Sequence, residues 1–160
     1  MVNDLVIRSA TPDDIEAAAK LGAQIVRLHH ATNPKRFFLI DEVEKGYAWW
    51  LRQELERAEA IVLVAELDGE IVGYAYGAIE ERDWNTLLDR HGAVHDLFVV
   101  EAARRRGVGR AMVNAVIARL EKLGAKLIVA RAMVQNENAQ RLCTSLGFQP
   151  TMLEMTREVG

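Results

Sequence analysis

The sequence has little that would tie the chain together covalently or anchor it elsewhere. It holds one cysteine, Cys143, so no internal disulfide can form, and only three prolines interrupt its 160 residues. No long apolar run reads as a membrane helix. The opening MVNDLVIRSA has no charged-then-apolar leader pattern, so the cytoplasm is the default address. Net charge is scarce as well. A value of −3 argues against a general nucleic-acid or membrane-surface binder, and any anion site must be local. Linkers, repeats and low-complexity tracts are missing, which leaves a single domain over residues 1–160, long enough to bury a core. Half the residues are hydrophobic and 27% are charged, the mixture of an ordinary globular protein.

Residues 5–8 read as a short strand. Thr11 then caps a helix, Pro12 suits its first turn, and Asp13 and Asp14 face the positive end of its dipole. Ile15, Ala18, Leu21, Ile25 and Leu28 keep helical spacing behind them. A polar break containing Pro34 leads to a second helix over about 41–57. IVLVAEL and EIVGYAYGAI flank Asp68-Gly69, a hairpin signal. AVHDLFVV is the next strand. A helix over about 107–123 carries Val108, Ala111, Met112, Ala115, Val116, Leu120 and Leu123 on one face, and Gly124 ends it. KLIVARAMV is a strand, and NENAQRLCTSLG a short helix with Ala139, Leu142, Cys143 and Leu146 in one stripe. FQPTMLEMTREV closes the chain as a strand. The order β-α-α-β-β-β-α-β-α-β predicts an α/β fold, a mixed sheet with flanking helices.

The stretch RRRGVGR, residues 104–110, stands where the AVHDLFVV strand gives way to a helix. A helix start exposes backbone N–H groups and the positive end of the dipole. Gly107 and Gly109 let that backbone approach a ligand, while Arg104, Arg105, Arg106 and Arg110 add charge and paired donors for phosphate oxygens. The stretch suits a polyanion such as a pyrophosphate; a solvated basic turn is the plainer alternative. A dinucleotide fingerprint needs a third glycine where Met112 stands, and a P-loop needs a Gly-Lys-Ser/Thr that is absent.

Arg104-x-x-Gly107-x-Gly109, after a strand and before an amphipathic helix, resembles the acetyl-CoA signature of the GNAT N-acetyltransferase superfamily. Asn136-x-x-Ala139-x-x-Leu142-x-x-x-Leu146-Gly147-Phe148 resembles that family's second motif, and IRSATPDDIEAA its first strand and helix. The resemblance implies a central, mostly antiparallel sheet with flanking helices, and acetyl-CoA as cosubstrate. Backbone N–H groups from Arg105 to Arg110, Val108 included, would hold the pyrophosphate. Leu97, Phe98 and Val99 would pair with the pantetheine arm like an added strand. The same strand, splayed at a bulge, would offer an N–H to the thioester oxygen. Asn136 would contact the pantetheine while capping its helix, and Arg104 or Arg141 is offered to the 3′-phosphate. A homodimer is a family-level expectation. No metal, nucleic acid or membrane enters the reading.

Acetyl transfer needs a neutral amine, donors for the oxyanion and a proton for the departing thiolate. His95 and Asp96 stand together on VHDLFV; as strand neighbours their side chains should point to opposite faces, so only one can face the cleft. Asp96 matches an aspartate of the polyamine-type members of the superfamily. It can act through a water, bind a cationic acceptor, or be structural. His95 replaces a glutamate there, and is either a base or a half-buried strand histidine. Cys143 stands where the family has a tyrosine as general acid. Its place on an apolar stripe favours packing, and Tyr74, Tyr76 or a residue of the second helix is left to substitute. His29, His30, Phe37, Phe38, Tyr47, Trp49 and Trp50 crowd the acceptor side, as lining or as core. The acidic loop Glu80, Glu81, Asp83 either draws a cation or is solvated surface. The reading is an acetyl-CoA-dependent N-acetyltransferase acting on a small-molecule amine. A protein acceptor and a non-catalytic acyl-CoA sensor are the alternatives.

Overall fold

The sheet begins at β1, Leu5–Ser9, which pairs antiparallel with β2, Ala60–Leu67. Asp68 and Gly69, at φ 52° and 83°, form the tight turn that the right-handed twist of a hairpin favours, and β3, Glu70–Glu80, returns along β2. β4, His91–Val99, continues the antiparallel pairing, and β5, Ile128–Ala130, joins it in parallel. The spatial order is β1-β2-β3-β4-β5. This is a computed structural model, and it describes residues 4–160.

Helices cover both faces, which is why β2 and β3 are apolar almost throughout rather than alternating. α1, Ile15–Thr32, and α2, Val43–Leu55, pack Ile15, Ala18, Ala48 and Leu51 against Val62, Val64, Tyr74 and Tyr76. On the other face α3, Val108–Lys122, sets Met112, Val116 and Leu120 on Leu63, Ala65 and Ala75. Each large side chain removed from water in these layers contributes about 1.5–3 kcal/mol. α4, Glu137–Ser145, is amphipathic yet has no buried residue; Ala139, Leu142, Cys143 and Leu146 are half-buried.

The fold class and the helix positions follow the sequence reading to within two residues at the ends of α2 and α3. Three details differ. Residues 148–160 form no strand. β5 spans three residues of the nine in KLIVARAMV. The stripe of α1 runs through Ile15, Ala18, Ala19, Gly22 and Ala23, leaving Leu28 half exposed.

Asp14 does more than face a dipole. Its carboxylate accepts Arg8 twice, at 2.6 and 3.0 Å, and the Thr11 N–H at 2.7 Å. Arg8 holds the carboxyl down at about 2 against the opposing effect of burial. A group depressed on folding stabilises the fold above its unfolded pKa, near 3.9, and that stability is lost as pH falls from there towards 2. Asp14→Asn is therefore expected to cost about 2 kcal/mol at neutral pH. It should also flatten the loss of stability between about pH 4 and 2, as read from urea midpoints; an unchanged acid slope would contradict the pairing.

Candidate active site

β4 and β5 part company halfway. Gly92, Ala93 and Val94 pair with Ile128, Val129 and Ala130, and there the pairing ends, while β4 runs on beside β3 to Val99. At the point of parting the β3–β4 register slips: Tyr76 opposes Asp96 and Gly77 opposes Val94, so His95 is the extra residue of a β-bulge. Val100 N–H donates to Val72 O at 2.9 Å. By alternation the N–H groups of Phe98 and Asp96 face β3, and those of Leu97 and Val99 face the open edge.

The open edge leads into the arginine–glycine turn. Arg104 N–H donates to Glu101 O, and the next backbone bond is Ala111 N–H to Gly107 O. Between them the N–H groups of Arg105 to Arg110 have no acceptor among the described residues. Arg105 and Gly107 take φ of 62° and 79°, the left-handed steps that gather successive N–H groups into a concave nest at the start of α3. A Cβ on Gly107 would meet nothing within 4 Å, so this glycine serves the dihedral. Gly109 is the one of close approach: a Cβ there would lie 3.8 Å from Leu97 and Val99 and 3.9 Å from Leu142, in the space between β4 and α4. Gly109 lies over that space, and Gly107 stands in the open at the mouth of the turn.

The other residues named for this side spread around it. Val108 buries its side chain and can offer only backbone. Arg104 Nε donates to Val99 O at 2.9 Å, with its guanidinium 5.5 Å from the centre of the Phe98 ring. Arg110 donates to Ser145 Oγ at 2.6 Å and ties α3 to α4. Arg105 and Arg106 are exposed. Asn136 caps α4, its Oδ1 accepting Ala139 N–H at 3.1 Å, and Arg141 pairs with Glu137 at 3.3 Å.

On the α1–α2 face, Asp96 Oδ2 accepts two phenol hydroxyls, Tyr47 from α2 and Tyr74 from β3, each at 2.8 Å. Burial pushes the Asp96 carboxyl above its ordinary range, opposed by the two tyrosines and by His95 and His29. Burial first, then the charge on Asp96, push Tyr47 and Tyr74 well up, so both stay protonated and orient the carboxylate. Tyr47 reaches across α1 because Gly22 has no side chain: a Cβ there would sit 2.4 Å from the ring. The expectation that His95 and Asp96 point to opposite faces fails, because the bulge breaks the alternation. His95 stacks on Tyr76 at 5.7 Å, on the same face as Asp96, with its Nε2 2.7 Å from Glu80 Oε1. Tyr76 in turn donates to the buried Glu54 at 2.5 Å, which also accepts Arg57 at 2.6 Å.

A family model described as "Acetyltransferase (GNAT) family" matches residues 22–148. The chain belongs to the GNAT acetyltransferase family. It is 29% identical over 148 residues to an N-alpha-acetyltransferase of Sulfurisphaera tokodaii, covering 89% of this chain and 79% of that one. An uncharacterised N-acetyltransferase of Methanocaldococcus jannaschii is 24% identical over 93% of this chain, which spans only 62% of that relative's length. Among solved structures, an aminoglycoside N-acetyltransferase in complex with CoA superposes with a TM-score of 0.80 at 19% identity, covering 99% of this chain and 97% of the other. The likeness to that structure is one of fold, here a five-stranded sheet between helices.

Cys143 makes no hydrogen bond with the Asp96 cluster; burial pushes its thiol up, in keeping with a packing role on α4. Of the aromatics named for the acceptor side, Tyr47 and Trp50 reach the cluster, Trp50 edge-on to Tyr76 at 4.6 Å. His29 and Phe37 pack on each other, whereas Phe38 and Trp49 lie on the surface. Gly22 and Glu54 belong to the site without having been among the candidates. A glycine inside a helix usually marks a packing need, which was the available signal for Gly22; Glu54 sits among other charged residues of α2 and carried none.

Tyr47→Phe removes a donor that favours the Asp96 carboxylate, so the Asp96 pKa should rise further. A carbon-detected NMR titration of wild type and variant checks this, and a downward shift would contradict it.

Proposed function

We propose that this chain transfers an acetyl group from acetyl-CoA directly to a primary amine of a small molecule, with both substrates bound at once in one domain. The observation that carries the reading is a continuous one: the free edge of β4 runs from the unpartnered N–H groups of residues 105–110 to the carboxylate of Asp96. The nest suits a diphosphate, and the edge N–H groups of Leu97 and Val99 suit a pantetheine arm laid down as an extra strand. The thioester then falls beside the His95–Asp96 bulge, where an outward N–H is available to the oxyanion.

The amine enters from the α1–α2 side. Asp96 attracts it as an ammonium and draws off a proton through a water, since even a raised carboxylate is a far weaker base than an amine. The neutral nitrogen bonds to the carbonyl carbon, the C–S bond breaks with its electron pair on sulfur, and solvent supplies the proton the thiolate takes up. The nitrogen gives its remaining surplus proton to water. Tyr47 and Tyr74 hold Asp96 in place. Glu80 beside His95 extends negative charge towards a cationic acceptor. The N-alpha-acetyltransferase relative supports a second reading, in which the acceptor is the α-amine of a polypeptide.

A thiol-release screen with acetyl-CoA across small amines and peptide N-termini tests the reading. Amine-dependent release is expected, and binding without release would leave a sensor. Asp96→Asn should lower turnover by about a hundredfold or more while leaving CoA affinity unchanged by calorimetry; unchanged turnover removes Asp96 from the mechanism.

Gly109→Val should abolish CoA binding, because it fills the space over the edge of β4. Loss of charge at Arg105 and Arg106 should weaken binding only in part. Normal calorimetric binding by Gly109→Val would place the groove elsewhere.

A further inference from the structure

Arg131 stands one residue beyond β5, where β4 and β5 part. Val94 and Ala130 are the last pair between the two strands, so Arg131 comes level with the bulge at His95. Val94 and Ile128 lie against the core under α3. Alternation from Ile128 places Val129 and Arg131 on the opposite face, the one that carries Asp96. The backbone is held there although the strand has ended. Met133 is buried, and Gln140 Nε2 of α4 donates to Met133 O at 2.9 Å and to Val134 O at 3.0 Å. The neighbouring charges agree with this placement. Glu154 is held below the usual carboxylate range first by its bond with Arg36, and the charge of Arg131 adds to the effect. Asp83, in the β3–β4 loop, is held down first by its bond with Thr86 and also feels Arg131. Arg131 therefore lies between that loop and the segment bound to the α1–α2 connection, at the entrance to the face of Asp96.

Its guanidinium is nonetheless unclaimed. Among the described residues it makes no ion pair, whereas the arginines of the neighbouring loops do: Arg36 with Glu154, Arg82 with Asp89, Arg90 with Glu59 and Glu81. The carboxylates near it are occupied as well, Glu80 by His95, Asp83 by Thr86 and Glu154 by Arg36. An incoming molecule thus meets a free fork of donors just past β5 and a carboxylate, Asp96, on β4.

We propose that Arg131 receives a carboxylate of the acceptor, so that the acceptor is a free amino acid with its amine at Asp96 and its carboxylate at Arg131. This rests on the transfer reading above. A planar guanidinium matches a carboxylate through two parallel N–H···O bonds. Elsewhere at this entrance an anion meets the negative charge of Glu80, Asp83 and Glu154, so Arg131 both admits the carboxylate and fixes which way round the molecule binds. A polyamine meets only a like charge at Arg131. The first residue of a polypeptide has an amide carbonyl where an amino acid has its carboxylate, and it forfeits the charge-assisted pair. Arg131 therefore favours the small-molecule acceptor over the polypeptide α-amine.

The test is thiol release with acetyl-CoA from leucine, phenylalanine, serine and lysine, in L and D forms, each beside its carboxamide. Wild type, Arg131→Gln and Arg131→Lys are compared, and binding of the same amino acids to protein saturated with CoA is followed by calorimetry. Comparing variants within each acceptor cancels the different basicities of acid and amide. Arg131 is exposed, so both replacements spare the fold, and circular dichroism verifies it. Arg131→Gln should raise KM for the amino acid about ten- to a hundredfold with kcat little changed, while KM for the carboxamide moves by less than about twofold. Arg131→Lys should recover part of the loss. An equal effect on acid and amide, or none on either, overturns the inference and leaves the transfer reading standing. Release from polyamines or peptide N-termini but from no amino acid does the same. No release from any amine sinks the transfer reading, and calorimetry then decides on Arg131 alone: binding that Arg131→Gln weakens by the same factor upholds the site, and binding that is absent or unchanged overturns it.

Discussion

Everything at the site depends on β4 being paired on one side and abandoned on the other. Up to Val94 it is an interior strand between β3 and β5; beyond the bulge at His95 it keeps β3 and loses β5. An unpaired row of N–H and C=O groups inside a fold is costly unless water or a ligand meets it. Here the row is short and ends in a turn whose own N–H groups also lack acceptors. The same bulge that separates the strands turns His95 onto the face of Asp96. One local irregularity therefore opens the edge and assembles the polar cluster beside it.

The cluster is held from the opposite layer. α2 places Tyr47 on Asp96 and Glu54 under Tyr76, and the buried Glu54 is paired with Arg57, so its charge is not left alone. α1 is cut away at Gly22 to let the Tyr47 ring through. The result is a carboxylate with two fixed donors in a poorly solvated place. Its ionisation is balanced between burial, which disfavours charge, and the phenols, which favour it.

Much of this could be read from the sequence, and the gaps have physical causes. The hairpin at Asp68-Gly69, the run of α3 and the capping role of Asn136 rest on local chemistry, so they were legible. So was the RRRGVGR stretch as a turn into a helix, because a glycine at a left-handed step before a helical pattern is a local signal. The shared face of His95 and Asp96 was not, since alternation along a strand holds only while the register holds; the one hint was Gly77, because a glycine inside a strand can mark a bulge without fixing where the extra residue falls. The Tyr47–Asp96 bond joins residues 49 positions apart and depends on the crossing of two helices. The missing last strand shows the limit of pattern: FQPTMLEMTREV has the composition of a strand, but a strand exists only with a neighbour to bond.

Arg105 carries one further implication. It is a non-glycine residue held at φ 62°, a conformation that costs an L-amino acid of order 1 kcal/mol. Its exposed guanidinium forms no ion pair among the described residues that would repay the strain. Selection at this position thus has two separable handles, the torsion and the charge. A glycine or asparagine would relax the first and forfeit the second, so the shape of the loop and its charge can be changed independently of one another.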